Sequence, residues 1–385
     1  MTNNNFKSLD LDQKISGIGF FSVNTEISSG KMHGQSDNIK PLGFVTISVK
    51  NKTGISEIYA ATYVSVGLRS IFEYLDHLLK DKSLLEAIDI FENLQIPFVS
   101  RNGLFKACIG AVENAFLDMC AKLGDIPLYK FLDGTEEFPK IYASGGSVIC
   151  SPKEIEEESS FVEEEGYKGY KIRAGLQSWE VDQQRIKAMN SISINKMVDA
   201  ISGTRNPCWS IDDALSKISF LEDQNIYWLE EPLYPDNYVD HARLQEATSL
   251  NIAAGEAYSG FGEFRNLIDL GRINIIQFDA CHSGGISLCK KISEYVTFKE
   301  RKAAIHVWGS SVAINTNFHL ALSLKELDFL EKPLIELAID KMIHQEYKGM
   351  DNLKNTIIEK PGIGIEIEDF ASVPIDNSFG YEYKW

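Results

Sequence analysis

With 385 residues, 44% of them hydrophobic, the chain can bury a large core and is long enough for two domains. Its 38 Lys and Arg against 55 Asp and Glu leave a net charge of −17, which argues against nucleic acid or an anionic membrane surface as partner. An anionic substrate would have to be met by a local cation, a first hint of metal. The segment Met1 to Asp12 lacks an apolar signal core, no stretch approaches membrane-spanning length, and the six cysteines (Cys108, Cys120, Cys150, Cys208, Cys281, Cys289) show no CxxC pair. Reduced thiols and a cytoplasmic location are expected.

From residue 13 to about 60 the pattern is of strands, Ile15 to Val23 and Gly43 to Val49, the latter before the turn Asn51-Lys52-Thr53-Gly54. Apolar residues then recur at three- and four-residue intervals over Val66 to Leu79, Ser83 to Leu94 and Leu104 to Leu123, which predicts helices and a small α+β unit.

From Ile141 short strands and helices alternate. The predicted strands are Ile141 to Ile149, Gly169 to Arg173, Lys196 to Ile201, Ile226 to Glu230, Asn251 to Glu256, Ile273 to Phe278, Ala303 to His306 and Leu334 to Leu337, with a helix after each of the first seven. Repeated βα units demand a parallel sheet with right-handed crossovers, and eight strands close a barrel. An open doubly wound sheet is the alternative, but no GxGxxG follows the first strand.

A barrel carries its site at the C-terminal strand ends. These offer Lys171 and Arg173 on the second strand, Asp199 on the third, Glu230 on the fourth and Glu256 on the fifth, then Asp279, His306 and Glu336. Glu230 belongs to Tyr227-Trp228-Leu229-Glu230-Glu231-Pro232, an apolar run stopped by two acids and a proline, and shares a strand face with Trp228. One such acid fits a salt-bridged strand end equally well. Three on successive strands, with no thiolate or imidazole among them, suit Mg²⁺. Asp279 and His306 lie on adjacent strands and form a plausible dyad, a carboxylate fixing the imidazole tautomer.

These residues resemble the enolase superfamily, and within it the mandelate racemase and muconate lactonizing enzyme subgroup with its many acid-sugar dehydratases. The likeness runs through Ala111-Val112-Glu113-Asn114-Ala115-Phe116-Leu117-Asp118, Gly124-Asp125-Ile126-Pro127-Leu128, the Trp-Leu-Glu-Glu-Pro strand and Ala254-Gly255-Glu256. It continues through Gln277-Phe278-Asp279, Gly284-Gly285-Ile286, His306-Val307-Trp308-Gly309-Ser310 and Lys360-Pro361-Gly362-Ile363-Gly364-Ile365-Glu366. The resemblance implies a modified (β/α)7β TIM barrel over residues 139–340 and an α+β capping domain over 1–138, completed by the tail 341–385. It also implies Asp199, Glu230 and Glu256 as Mg²⁺ ligands, Asp279 with His306 as the catalytic dyad, and Glu336 as the acid that hydrogen-bonds the substrate carboxylate. The chemistry implied is removal of a proton α to a carboxylate through a metal-stabilised enolate.

Two positions depart from that pattern. Arg173 stands where many relatives place a second lysine base, and a guanidinium is a poor base but a good partner for a carboxylate. Lys171 or His306 is then the abstracting base, and one-sided elimination is favoured over two-base racemisation. Ile201 stands where Asn is common, ahead of a long loop whose Arg205 is either a substrate contact or a surface residue. Lys168 and His282 lie near the motifs without needing a role. Cap loops after Gly17 and near Lys31 to Asn38, with His33, Phe20 and Tyr63 as candidates, are expected to select the substrate. The reading is an enzyme that dehydrates an acid sugar to a 2-keto-3-deoxy acid, with a racemase, epimerase or cycloisomerase of a hydroxy- or anhydro-sugar acid, or a non-catalytic binding barrel, as alternatives. The partner is a small-molecule carboxylate, and a homo-oligomer is expected.

Overall fold

The computed structural model describes residues 5–29, 38–93, 102–204, 208–345, 347 and 349–375. Strands β1 (Ile15–Ser29), β2 (Ile39–Val49) and β3 (Lys52–Glu57) form an antiparallel sheet. The turn from β2 to β3 passes through Lys50 in the left-handed region, so it begins a residue before the predicted Asn51 and Lys52 already pairs with Val49. Helices Ala61–Leu79, Leu84–Asn93 and Gly103–Leu123 accompany this sheet, and the last is buried from Ala107 to Lys122.

That helix joins the cap to the rest of the molecule. A Cβ on its Gly110 would fall 2.2 Å from the backbone of Gly284 and Gly285, so only glycine allows the approach. One turn on, Asn114 donates to the Ala280 carbonyl at 2.8 Å and accepts from Ile286 N–H at 2.9 Å. A further turn on, Asp118 accepts from Ile55 N–H and Ile363 N–H and pairs with Lys122 at 3.0 Å.

The barrel is closed and parallel. Its strands are β4 (Ile141–Ser144), β5 (Gly169–Arg173), β6 (Asn195–Asp199), β7 (Ile226–Glu230), β8 (Asn251–Ala254), β9 (Ile275–Phe278), β10 (Lys302–Ile305) and β11 (Phe329–Pro333), with β11 pairing back onto β4. Side-chain caps start the intervening helices: Ser151 and Ser210 form capping boxes, and Ser178, Asn237 and Ser310 each accept a first-turn N–H. Among the described residues no helix is long and apolar enough to cross a membrane.

The eighth barrel strand corrects the sequence reading. It is Phe329–Pro333, and Leu334 to Leu337 lies beyond it. Pro333 ends the ladder, and the chain then forms β12 (Glu336–Leu337), which pairs antiparallel with β1, Leu337 opposite Ile27. Glu336 therefore lies on the cap sheet and is exposed, not at a barrel strand end.

Candidate active site

A layer of Tyr142, Met197, Trp228, Ala253, Ile275, Ala304 and Phe329 clusters inside the barrel. Two residues on, the strand period aims Ser144, Asp199, Glu230, Gln277, His306 and Glu331 the same way, and a further step along β9 brings Asp279. Glu256 breaks this alternation. Gly255 precedes it at φ 140°, and a Cβ there would lie 2.1 Å from the Gln277 carbonyl, so glycine is required for the chain to turn Glu256 toward the mouth.

At the centre stands Lys171, fully buried. Its ammonium lies 2.5 Å from Glu230 Oε1, 3.0 Å from Glu331 Oε1 and 3.9 Å from Asp199 Oδ2, with Tyr142 Oη at 3.4 Å. Burial would lower its pKa, but the Glu230, Glu331 and Asp199 charges outweigh that and hold it above the ordinary lysine range. The Trp228 indole N–H donates to Glu230 Oε2 at 3.0 Å, which fixes that carboxylate. Arg173 donates to the Gly145 carbonyl and to Ser144 Oγ, both at 2.9 Å, and its Nε is 3.9 Å from Asp199.

Glu331 is the acid that the sequence reading missed. It is 1% exposed, and its Oε2 accepts from Val307 N–H at 3.1 Å, next to His306. Burial would raise its pKa, but Lys171, His306 and Arg173 bring it down to about 2. A signal was present: Glu331-Lys332-Pro333 repeats the acid-x-proline strand ending of Glu230-Glu231-Pro232.

Across the mouth, His306 Nδ1 is 3.1 Å from Asp279 Oδ2, and Nε2 is 3.2 Å from Glu256 Oε2. Asn317 and Cys281 N–H hold Asp279 Oδ1 at 2.7 and 2.8 Å. Burial would lower the imidazole pKa, but Glu256, Asp279 and Glu331 raise it to about 9. The cap closes over this side. The Tyr59 ring stacks edge-on against His306 with centroids 5.5 Å apart, its hydroxyl lies 3.0 Å from that of Tyr63, and Glu57 accepts from Ser310 N–H at 3.0 Å.

The structure thus brings together Lys171, Arg173, Asp199, Glu230, Glu256, Asp279 and His306, and leaves Glu336 apart. His33 and Arg205, and the loop from Lys31, lie outside the described residues. Phe20 stacks on Phe72 within the cap, Lys168 is exposed, and His282 packs on Tyr59.

Whether the acids fit a divalent cation can be judged from their charges. Among the described residues no group of three His, Cys, Asp or Glu side chains is already drawn together closely enough to hold an ion; the Lys171 ammonium stands among the acids instead. Their chemistry nevertheless fits. Asp199 is pushed up to about 8 by burial and by the Glu230 charge, with Glu256 adding to it. Glu256 is raised by burial and Glu230, and Glu231 well raised by burial and Glu256, with its buried Oε2 lacking a hydrogen-bond partner. Buried, mutually repelling oxygen donors are what a hard dication relieves.

A parallel barrel capped by an α+β unit carries carboxylates, a lysine and a His-Asp pair at its C-terminal mouth, the composition of a site for acid-base chemistry. The family model described as Enolase C-terminal domain-like matches residues 154–371, and the chain belongs to that family and so to the mandelate racemase and enolase superfamily of enzymes. It is 28% identical to an arabinonate dehydratase of Saccharolobus solfataricus over 76% of this chain and 78% of that one. To an L-talarate/galactarate dehydratase of Salmonella typhimurium it is 25% identical, over 82% and 79%. A Bradyrhizobium enolase solved with magnesium and mandelic acid shares the fold, with a TM-score of 0.78, 20% identity and coverage of 95% and 99%.

Proposed function

We propose that the protein removes the proton α to the carboxylate of an acid sugar and expels the β-hydroxyl, giving a 2-keto-3-deoxy acid. The observation that carries this is Arg173. It occupies the strand position next to Lys171 where a second base would stand, and its guanidinium stays protonated at ordinary pH. Lys171 is enclosed by Glu230, Glu331 and Asp199, whose charges hold it as an ammonium, whereas His306 is oriented by Asp279 at 3.1 Å and is the group we assign to move the proton. A single proton carrier suits elimination better than racemisation, which needs bases on both faces.

Asp199, Glu230 and Glu256 would hold Mg²⁺, with Glu231 behind them. Bound there, the ion supplies a Lewis acid for the substrate carboxylate. Lys171 and Arg173 stabilise the charge that accumulates on that carboxylate as the α-proton leaves. Glu331, ionised and 3.0 Å from the Lys171 ammonium, holds that cation in place for the substrate carboxylate, a supporting part in place of the direct contact first assigned to Glu336. His306 Nε2 takes the α-proton while Asp279 holds Nδ1. The electron pair forms the C2–C3 double bond, the C3–O bond breaks, and the same proton on Nε2 goes to the departing hydroxyl, so that water leaves and the enol becomes a ketone. Glu256 is chief among the charges that keep His306 protonated; with that carboxylate committed to an ion, the imidazole would be left to act as a base.

The arabinonate and L-talarate/galactarate dehydratases support the dehydration; relatives that are a cycloisomerase and a racemase support the alternatives. Incubating the protein with Mg²⁺ and a library of mono- and diacid sugars, followed by a keto-acid-specific reagent, tests the reading. Keto acid from at least one sugar is the expected result. A change in optical rotation without keto acid would point to racemisation, and neither signal to a binding protein.

A further inference from the structure

Lys40 on β2 is absent from the chemistry above and is placed oddly for a cap residue. It is completely buried, yet its ammonium donates to one described acceptor, the Trp308 carbonyl at 3.2 Å, and no described carboxylate lies within ion-pair distance. The same ammonium sits 4.0 Å from the centre of the Trp308 indole, and the Arg173 guanidinium carbon lies 5.2 Å from that ring. Trp308 is two residues after His306. One indole therefore gathers a cation from the cap and a cation from the barrel beside the proposed proton carrier. Arg173 and Lys40 repel each other; Glu57, the strongest attraction on Lys40, is already bound to Ser310 N–H and Oγ. Lys40 is no more covered than the site itself, since Lys171 and Glu230 are equally buried.

Burial brings the Lys40 pKa down to about 7 against the pull of Glu57 and Asp340; held as an ammonium on one neutral acceptor it is costly, and an anion arriving beside it would restore the charged form. The carboxylate next to the α-carbon is already served by Lys171 and Arg173. We propose that Lys40, braced on Trp308 with Arg173 beside it, receives a second carboxylate at the far end of the substrate, so that the preferred substrates are dicarboxylic acid sugars. This rests on the reading of the site as one for acid sugars. By cation–π attraction the indole, 4.0 Å from the ammonium, keeps the charge in place before the ligand arrives.

The test compares a six-carbon aldarate with the aldonate of the same configuration, in Mg²⁺, for the wild type and for Lys40→Met and Lys40→Gln, with circular dichroism to show that the variants fold. Dissociation constants come from calorimetry and turnover from keto-acid formation. The wild type is expected to bind the aldarate roughly ten- to a hundredfold more tightly, the usual range for a charge-assisted contact, and both variants to lose that margin while binding the aldonate as before. Equal weakening of both ligands, an unchanged ratio or a wild-type preference for the aldonate would overturn the proposal. Lys40-dependent aldarate binding without keto acid would uphold it and sink the dehydration reading instead.

Discussion

Glu331 and Glu336 are five residues apart and face different parts of the molecule, one beside Lys171 and Val307 N–H, the other on the cap sheet edge. Replacing Glu331 by Gln removes the charge that holds the Lys171 ammonium in place, and kcat/KM should fall by roughly a hundredfold, as when a preorganised electrostatic contact is lost. Glu336→Gln should stay within about twofold by the reasoning that exposed charges contribute little. Steady-state kinetics on both variants decide, and the reverse ranking would restore the original assignment. His306 and Lys171 are separated in the same way. His306→Asn keeps a hydrogen-bonding side chain against Asp279 but cannot carry a proton, and turnover should drop by about two to four orders of magnitude. Lys171→Met should still wash deuterium into the α-position in D₂O, at a reduced rate. If Lys171→Met abolishes that exchange and His306→Asn retains it, the lysine is the base.

At the scale of elements, the strands with a clear two-residue period were legible. Gly169–Arg173 and Ile226–Glu230 begin and end where apolar alternation and flanking turn residues say they should. Phe329–Pro333 was not, because Asp328, Glu331 and Lys332 interrupt its apolar character, whereas Leu334 to Leu337 imitates an apolar run ending beside an acid. A strand inside a charged mouth carries its own disguise. The helix Ser311–Leu322 carries another buried group, His319, whose Nδ1 accepts from Tyr129 N–H at 3.1 Å. Burial pushes its pKa down to about 3 from an unfolded value near 6.5. The unfolded chain then binds a proton that the folded one refuses, so the stability this residue contributes is complete above about pH 6.5 and is lost as pH falls toward 3. The slope is about 1.4 kcal/mol per pH unit. Urea unfolding at pH 7 and pH 5.5 should show that loss in the wild type and less of it in His319→Gln; the same pH dependence in both would refute the assignment.

For the whole molecule, the motifs that carry the resemblance prove to be the two halves of long-range contacts. Asn114 meets Ala280 and Ile286 at separations of 166 and 172 residues, and Asp118 meets Ile363 at 245. Lys122 adds a bond to the Ile365 carbonyl at 2.6 Å. Order and spacing were visible along the chain; the pairing needed the fold. The cap side of the site was the least legible part, since nothing in an antiparallel strand says which face will meet a barrel until it docks. Lys40, Glu57 and Tyr59 all fall between the elements read from the sequence, and no motif singles them out. The central claim is that this assembled mouth removes a proton α to a carboxylate. The most direct measurement is proton NMR of an acid sugar that the enzyme consumes, in D₂O with Mg²⁺. The account predicts that the α-proton signal disappears in step with the appearance of a 2-keto-3-deoxy acid. Product that still carries the original α-proton would contradict it.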